Sequence, residues 1–327
     1  MLLTSASGVR NLFAHLSRLR VRRREVALAA EVAGAETGRR KIVLGIVGLT
    51  LLFWRSASVT AGVFYISNAD DSTVRRFDAS SGAFIDNFVA PRSGGINSPH
   101  GLLFGPDGNL YVASYGGNQV DRYDGANGSF LDTFASGNGL DTPDSIAFGP
   151  DGNLYVSSQN SDEIKEFAGA TGAFIRNFVS AGSGGLDSPD GLAFGPDGNL
   201  YVSSFNTGQV LRYDGTTGAS LGVFASGGGL GSPNGLGFGP DGNLYVADFF
   251  NSSIKRFDGT TGAFIDTFAS GHGLSLAFGF SFGPSGDLFV SNSGPGGILR
   301  FDGLSGAFIS DFIDPASLPK AILPDFR

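Results

Sequence analysis

Apolar residues in this chain fall in short runs, separated by clusters of Gly, Asp, Asn, Ser and Pro. The clearest instance is Phe194-Gly195-Pro196-Asp197-Gly198-Asn199-Leu200-Tyr201-Val202. It reads as strand, tight turn, strand. Pro presets φ, Asp bonds nearby backbone, and Gly and Asn tolerate positive φ. Leu-Tyr-Val then supplies strand-forming residues. Nearly the same stretch recurs at Phe104–Val112, Phe148–Val156 and Phe238–Val246, with a worn copy at Phe282–Val290. Apolar residues are consecutive in Leu200–Val202 and again in Ala263-Phe264-Ile265, rather than alternating. That pattern predicts sheets covered on both faces.

The aromatic residue of the second strand falls at Tyr65, Tyr111, Tyr155, Tyr201, Tyr245 and Phe289, with spacings of 46, 44, 46, 44 and 44. A period near 44 built from short strands is the signature of a propeller. The fourth unit reads as four strands: Gly191–Phe194, Asn199–Ser203, Gln209–Tyr213 and Ala219–Phe224. The last two are joined by the Asp214-Gly215-Thr216-Thr217-Gly218 hairpin. The first unit opens on Val63-Phe64-Tyr65-Ile66, which is a second strand with no first strand before it. Ser317-Leu318-Pro319-Lys320-Ala321-Ile322 matches the Ser98–Leu102 start of a unit. The expected fold is therefore an all-β, six-bladed β-propeller over residues 62–327, with four antiparallel strands per blade. The C-terminal segment joins the first blade and closes the ring, leaving no open edge there.

Phe-Gly-Pro-Asp-Gly-Asn-Leu-Tyr-Val, followed by Gln-Val-Leu-Arg-Tyr-Asp at Gln209–Asp214, resembles NHL-repeat β-propellers. The resemblance implies that fold. By extension it is similar to several propeller groups: protein-binding modules, peptide-amidating lyases, virginiamycin B lyases and the gluconolactonase/regucalcin group.

Aligning the units exposes one variable position, four residues before the Phe of each first strand. It holds His100, Asp144, Asp190, Asn234, Phe278 and, by the C-terminal match, Lys320. In a propeller these positions form a ring at one mouth of the channel. His100, Asp144, Asp190 and Asn234 are adjacent potential metal ligands, and their oxygen-rich set suits Ca2+, Mg2+ or Mn2+. The gluconolactonase-like group holds its cation with Asn and Asp at similar Pro-Asn-Gly and Pro-Asp-Gly starts, which Asn234 and Asp190 match. His100 stands where the virginiamycin B lyase resemblance would place a channel His. No counterpart of the gluconolactonase-like Glu ligand is found. The only Glu residues after the leader, Glu163 and Glu166, lie away from the ring in the repeat. Asp, Asn and His are also what wet loops accumulate, so the ring equally suits a channel mouth without an ion.

Other positions read as structural. Asp78, Asp124, Asp214, Asp258 and Asp302 each end a third strand and are expected to bond backbone in the next loop; Ala168 is the exception. Asp248 and Asn292 follow second strands and are expected to support turns or neighbouring blades, with an extension of the site below the ring as the alternative. His272 lies in a Gly-flanked loop. No Ser-His-Asp arrangement and no phosphate-cradling loop at a helix start can be read.

Charge separates the chain into two parts. Residues 1–61 carry 10 Lys and Arg against 3 Asp and Glu, whereas the remainder carries 12 against 27, a net −15. The acidic remainder has no basic stripe, so nucleic acid is not the expected partner. Cys is absent, which excludes disulfides, zinc thiolates and a cysteine nucleophile. Arg39-Arg40-Lys41 precedes a thirteen-residue apolar run, Ile42–Trp54. A spanning helix needs roughly 20 residues, so the run fits the apolar core of a signal peptide, with Val59-Thr60-Ala61 as a cleavage point. The alternative is an uncleaved helix, outside the ring, that anchors the chain to a membrane. The expected location is extracytoplasmic.

Two functions remain open on the sequence. One is an exported binding scaffold that takes a protein, glycan or small molecule at the channel mouth and inter-blade loops. The other is a metal-dependent lactonase or lyase, with His100 or Asp190 as acid–base candidates beside Ca2+ or Mg2+. An envelope protein without a small-molecule site is a third, simpler reading.

Overall fold

The computed structural model describes residues 62–318 with their side chains and the backbone of residues 321–326. The basic leader, its apolar segment 42–54 and the cleavage point lie outside the described residues, as does Lys320. Among the described residues no helix is long and apolar enough to cross a membrane.

Strands account for nearly all regular structure. Blade 1 holds β1 (Val63–Asn68), β2 (Thr73–Asp78) and β3 (Phe84–Val89). Blade 2 holds β4 (Pro99–Phe104), β5 (Leu110–Ser114), β6 (Gln119–Tyr123) and β7 (Phe130–Ser136). Blade 3 holds β8 (Pro143–Phe148), β9 (Leu154–Ser158), β10 (Glu163–Phe167) and β11 (Phe174–Val179). Blade 4 holds β12 (Pro189–Phe194), β13 (Leu200–Ser204), β14 (Gln209–Tyr213) and β15 (Ser220–Ala225). Blade 5 holds β16 (Pro233–Phe238), β17 (Leu244–Asp248), β18 (Ser253–Phe257) and β19 (Phe264–Ser270). Blade 6 holds β20 (Ala277–Phe282), β21 (Leu288–Asn292), β22 (Ile298–Phe301) and β23 (Phe308–Ile313). The last strand, β24 (Ala321–Phe326), returns to blade 1.

Each blade is one four-stranded antiparallel sheet, and blade 1 has the order β24-β1-β2-β3. The pairing runs from Phe64 opposite Phe326 to Asn68 opposite Ala321, with one bulge. The two ends of the propeller therefore meet in a single sheet, as the unmatched first strand requires. The first strand of each blade touches the first strands of both neighbouring blades, in a closed circuit β4-β8-β12-β16-β20-β24. These strands line the axis of a six-bladed propeller.

In the second strands consecutive apolar residues have the predicted cause, but in the outer strand β19 Phe264 and Ile265 are 39% and 43% exposed, so the expectation for that run is corrected. The second strands of blades 2–6 are buried along their whole length, because another blade covers each face. Tyr111 packs edge-on against Phe134 of its own blade at 4.9 Å and Phe148 of the next at 5.1 Å. The same aromatic triplet recurs around Tyr65, Tyr155, Tyr201 and Tyr245. Each such contact is worth about 0.5–1.5 kcal/mol beyond its area.

The Pro-Asp-Gly-Asn turn holds that tyrosine. Asp107 accepts the Asn109 backbone N–H at 3.1 Å and the Tyr111 hydroxyl at 3.0 Å. The hairpin aspartates do what the sequence implies: Asp214 accepts the backbone N–H groups of Thr216 and Thr217, and Asp78, Asp124, Asp258 and Asp302 repeat the pattern. These loops also clip neighbouring blades. A Cβ on Gly128 (φ 73°) would lie 1.8 Å from the Phe88 carbonyl oxygen of blade 1, so only glycine lets the loop approach.

One boundary differs from the sequence reading in a way that matters. The first strands begin two residues earlier than expected: β12 starts at Pro189, not Gly191. Pro189 already pairs with Ser204, and the variable residue lies inside the strand rather than in a loop.

Candidate functional site at the channel mouth

The variable position sits in a β-bulge in the first strands of blades 2–6. In blade 2 the pairing steps from Pro99 opposite Ser114 to Leu102 opposite Val112, leaving His100-Gly101 as the irregularity. The same step falls at Asp144-Ser145, Asp190-Gly191, Asn234-Gly235 and Phe278-Gly279. A bulge twists its strand and re-aims a side chain. The residue after it is small because the axis is crowded: a Cβ on Gly191 would lie 2.4 Å from the Asn234 carbonyl oxygen.

The bulges bring the side chains together in pairs. His100 Nδ1 lies 2.7 Å from Asp144 Oδ2. Asn234 Nδ2 donates to Asp190 Oδ2 at 2.8 Å. These bonds join blade 2 to blade 3 and blade 4 to blade 5. Phe278 of blade 6 meets the His100 ring edge-on at 5.2 Å across the opening. The ring is not washed by solvent, as a wet mouth would be. Asp144, Asp190 and Asn234 are only 2%, 1% and 3% exposed.

What covers them is a second ring that the sequence reading passed over. It consists of the residues just after the second strands: Ala69, Tyr115, Gln159, Phe205, Phe249 and Ser293. They share the 46 and 44 spacings of the repeat and vary as freely as the first ring, which is the signal that exposes them. They lie at the same end of the channel, because each second strand's last residue pairs with the first residue of the first strand, as Ser114 does with Pro99. Tyr115 stacks on His100 with centroids 4.2 Å apart and donates its hydroxyl to Gln159 Oε1 at 2.7 Å. Gln159 Nε2 in turn donates to Asp190 Oδ1. Phe249 touches Phe278 at 6.0 Å and Phe205 at 6.1 Å. Phe250, next in the chain and 66% exposed, packs on both Phe205 and Phe249.

The mouth therefore has two halves. Blades 2–5 supply a hydrogen-bonded, acidic half running Tyr115, Gln159, Asp190 and Asn234, beside His100 and Asp144. Blades 4–6 supply an aromatic half of Phe205, Phe249, Phe250 and Phe278. Burial pushes the Asp190 carboxyl well above the usual carboxylate range, and the nearby Asp144 charge adds to it; the Gln159 bond opposes them. Burial also raises the Tyr115 hydroxyl, with Asp144 and Asp190 contributing. Asn234 Oδ1 is buried and accepts no hydrogen bond, an uncompensated acceptor at the floor of the site.

Among the described residues no three His, Asp or Glu side chains are gathered at metal-binding spacing. His100 and Asp144 bond each other, and Asp190 and Asn234 do the same. Glu163 and Glu166 lie away from the mouth, engaged with Lys165 and Arg176. Asp248 and Asn292 support loops, accepting the backbone N–H groups of Ser232 at 3.0 Å and Ser275 at 2.7 Å. His272 stacks on Phe308 at 4.4 Å.

No protein-family model matches the chain, and no curated protein matches it in sequence. Solved structures do match. A chain in the crystal structure of the nidogen/laminin complex superposes with a TM-score of 0.65 at 17% identity, covering 81% of this chain and 98% of that one. A protein of unknown function from Bacteroides caccae gives 0.64 at 13%, covering 82% and 99%. Virginiamycin B lyase from Staphylococcus aureus gives 0.56 at 15%, covering 82% and 84%. The likeness is one of fold. The chain is a six-bladed β-propeller.

Proposed function

We propose that this protein is a binding scaffold of NHL type that seats a segment of a partner protein at the channel mouth. The observation that carries the reading is the coincidence of two variable rings at one end of an otherwise uniform repeat. Fixed residues build the scaffold, and the positions free to vary converge on one surface, part acidic and part aromatic. Binding surfaces concentrate on such loops, and exposed aromatics such as Phe250 are enriched at interfaces. The nidogen/laminin complex shows a chain of similar fold in a protein assembly. The basic, apolar leader supports a location outside the cytoplasm.

The enzymatic alternative has less behind it. His100 is oriented by Asp144 as a general base would be. Among the described residues, however, no hydroxyl is hydrogen-bonded to its other ring nitrogen, and no three His, Asp or Glu side chains are gathered at metal-binding spacing.

The test is selection of binders from a randomised peptide display library against the full chain. Their affinity is then compared for wild type and a His100→Ala/Asp144→Asn/Asp190→Asn/Phe249→Ser variant that keeps the wild-type circular dichroism. Most selected peptides are expected to lose at least tenfold in affinity. Peptides that bind both proteins equally would place the binding surface elsewhere.

A further inference from the structure

We propose that the group seated in the mouth is a cation, the guanidinium or ammonium head of an Arg or Lys side chain on the partner. The proposal rests on the mouth being the binding site, and it names the chemistry recognised there. Three independent features point to it.

The floor has a surplus of acceptors. Asp144, Asp190 and Asn234 converge there, Asn234 Oδ1 is buried with no donor, and none of the Lys and Arg ion pairs among the described residues reaches Asp144 or Asp190. A guanidinium or ammonium head has donors and no acceptor, so it fits this surplus without leaving a lone pair opposed to a lone pair.

The opposite half is aromatic. Phe205, Phe249 and Phe278 offer ring surface on which the methylene stem of Arg or Lys can lie, and a cation within about 6 Å of a ring face gains a further attraction. A neutral polar ligand would not use that half, and an apolar one would leave the floor unsatisfied.

The propeller as a whole also carries a net −15. A field of that sign speeds the approach of a basic segment and repels an acidic one.

The experiment titrates isotopically labelled full chain with two blocked tripeptides, acetyl-Gly-Arg-Gly-amide and its citrulline counterpart, followed by NMR. Citrulline keeps the shape of arginine and removes the charge. The arginine peptide is expected to shift the side-chain amides of Gln159 and Asn234 and to bind at least tenfold more tightly than the citrulline peptide. An Asp144→Asn/Asp190→Asn protein is expected to lose that preference. Affinity for the arginine peptide is expected to rise with pH in the wild type, because cation binding draws the proton from Asp190; Gln159 and Asn234 bond it, and Asp144, Tyr115 and His100 are the other polar groups of that half.

Equal binding of the two peptides, or no shift at the mouth, would overturn the cation. Binding seen only in a Lys320→Gln protein would overturn it too, by showing that the chain's own lysine fills the place. So would displacement by sub-millimolar Ca2+, which would put an inorganic ion there. If the display-selected peptides still depend on the mouth, the scaffold reading survives any of these results; if they do not, both fall.

Discussion

Asp121 shows how a repeat position can depart from its neighbours at a cost. It lies on β6, is fully buried, and accepts from Gln119 at 2.7 Å and Thr133 at 3.1 Å, while its second oxygen has no donor. Burial lifts its carboxyl to about 6, against the two hydrogen bonds. The unfolded chain releases this proton near the ordinary carboxylate value, while the folded chain holds it until about pH 6. Folding therefore loses stability as pH rises through that window and stays level above it. A shift of that size corresponds to roughly 3 kcal/mol as an upper figure. Asp121→Asn is expected to match wild type near pH 4 and to exceed it at pH 7 by up to that amount, in urea unfolding at both pH values. A difference that stays constant with pH would show that Asp121 titrates normally.

At the same scale, the sequence made part of the site legible and hid the rest. His100, Asp144, Asp190 and Asn234 could be aligned because the repeat fixes their register. Their pairing could not, because contact between neighbouring blades depends on how each bulge turns a side chain, and the bulge appears only once Pro189 is seen opposite Ser204. Gln159 and Tyr115 escaped for another reason: a polar or aromatic residue after a strand looks like any loop residue until a carboxylate is found beneath it.

At the scale of strands, charge pairs tie the third strand to the fourth or to the turn before the second; in blade 4 Arg212 lies 3.9 Å from Asp197 of that turn. Arg76 pairs with Asp86, Arg122 with Asp132 and Arg256 with Asp266, each across the outer two strands. Blade 6 has Ser310 opposite Arg300, and Asp287 in the turn takes over. Blade 3 reverses the pair: Glu166, buried, accepts from Arg176 Nε at 2.7 Å. Arg176 then reaches the Thr216 carbonyl of blade 4 at 2.8 Å. The reversed pair therefore also joins blades. Glu166→Arg alone sets two guanidinium groups together in a nearly dry place, which is expected to cost about 2–4 kcal/mol. Adding Arg176→Glu restores opposite charges, and a double-mutant cycle is expected to recover at least 1 kcal/mol as coupling. Additive losses would mean that the pair contributes nothing as a pair. The strands themselves were readable from their apolar runs. In the chain the reversal shows as Glu166 where the other blades carry Arg, and as Arg176 where Asp86, Asp132 and Asp266 stand in three of them.

For the whole molecule, everything at the mouth depends on the ring being closed by its own ends. Were β24 not beside β1, blade 1 would lack its inner strand, β4 and β20 would lose a neighbour, and Phe278 would have no reason to face His100 across the opening. The architecture was legible almost completely, because the missing first strand at Val63 and the surplus strand after Ser317 are complementary halves of one blade. A chain without cysteine offers a direct measurement of that closure. Asn68 and Ala321 are opposite each other in the β24–β1 pairing, and antiparallel partners stand roughly 4.5–5.5 Å apart at Cα, within the reach of a disulfide. Asn68→Cys/Ala321→Cys is expected to oxidise to an intramolecular disulfide in essentially every molecule. By the loop-entropy relation, the bridge should then raise unfolding stability by about 5 kcal/mol. Free thiols at both positions after oxidation, or cross-links only between chains, would show that the ends do not meet, and the mouth described here would not exist.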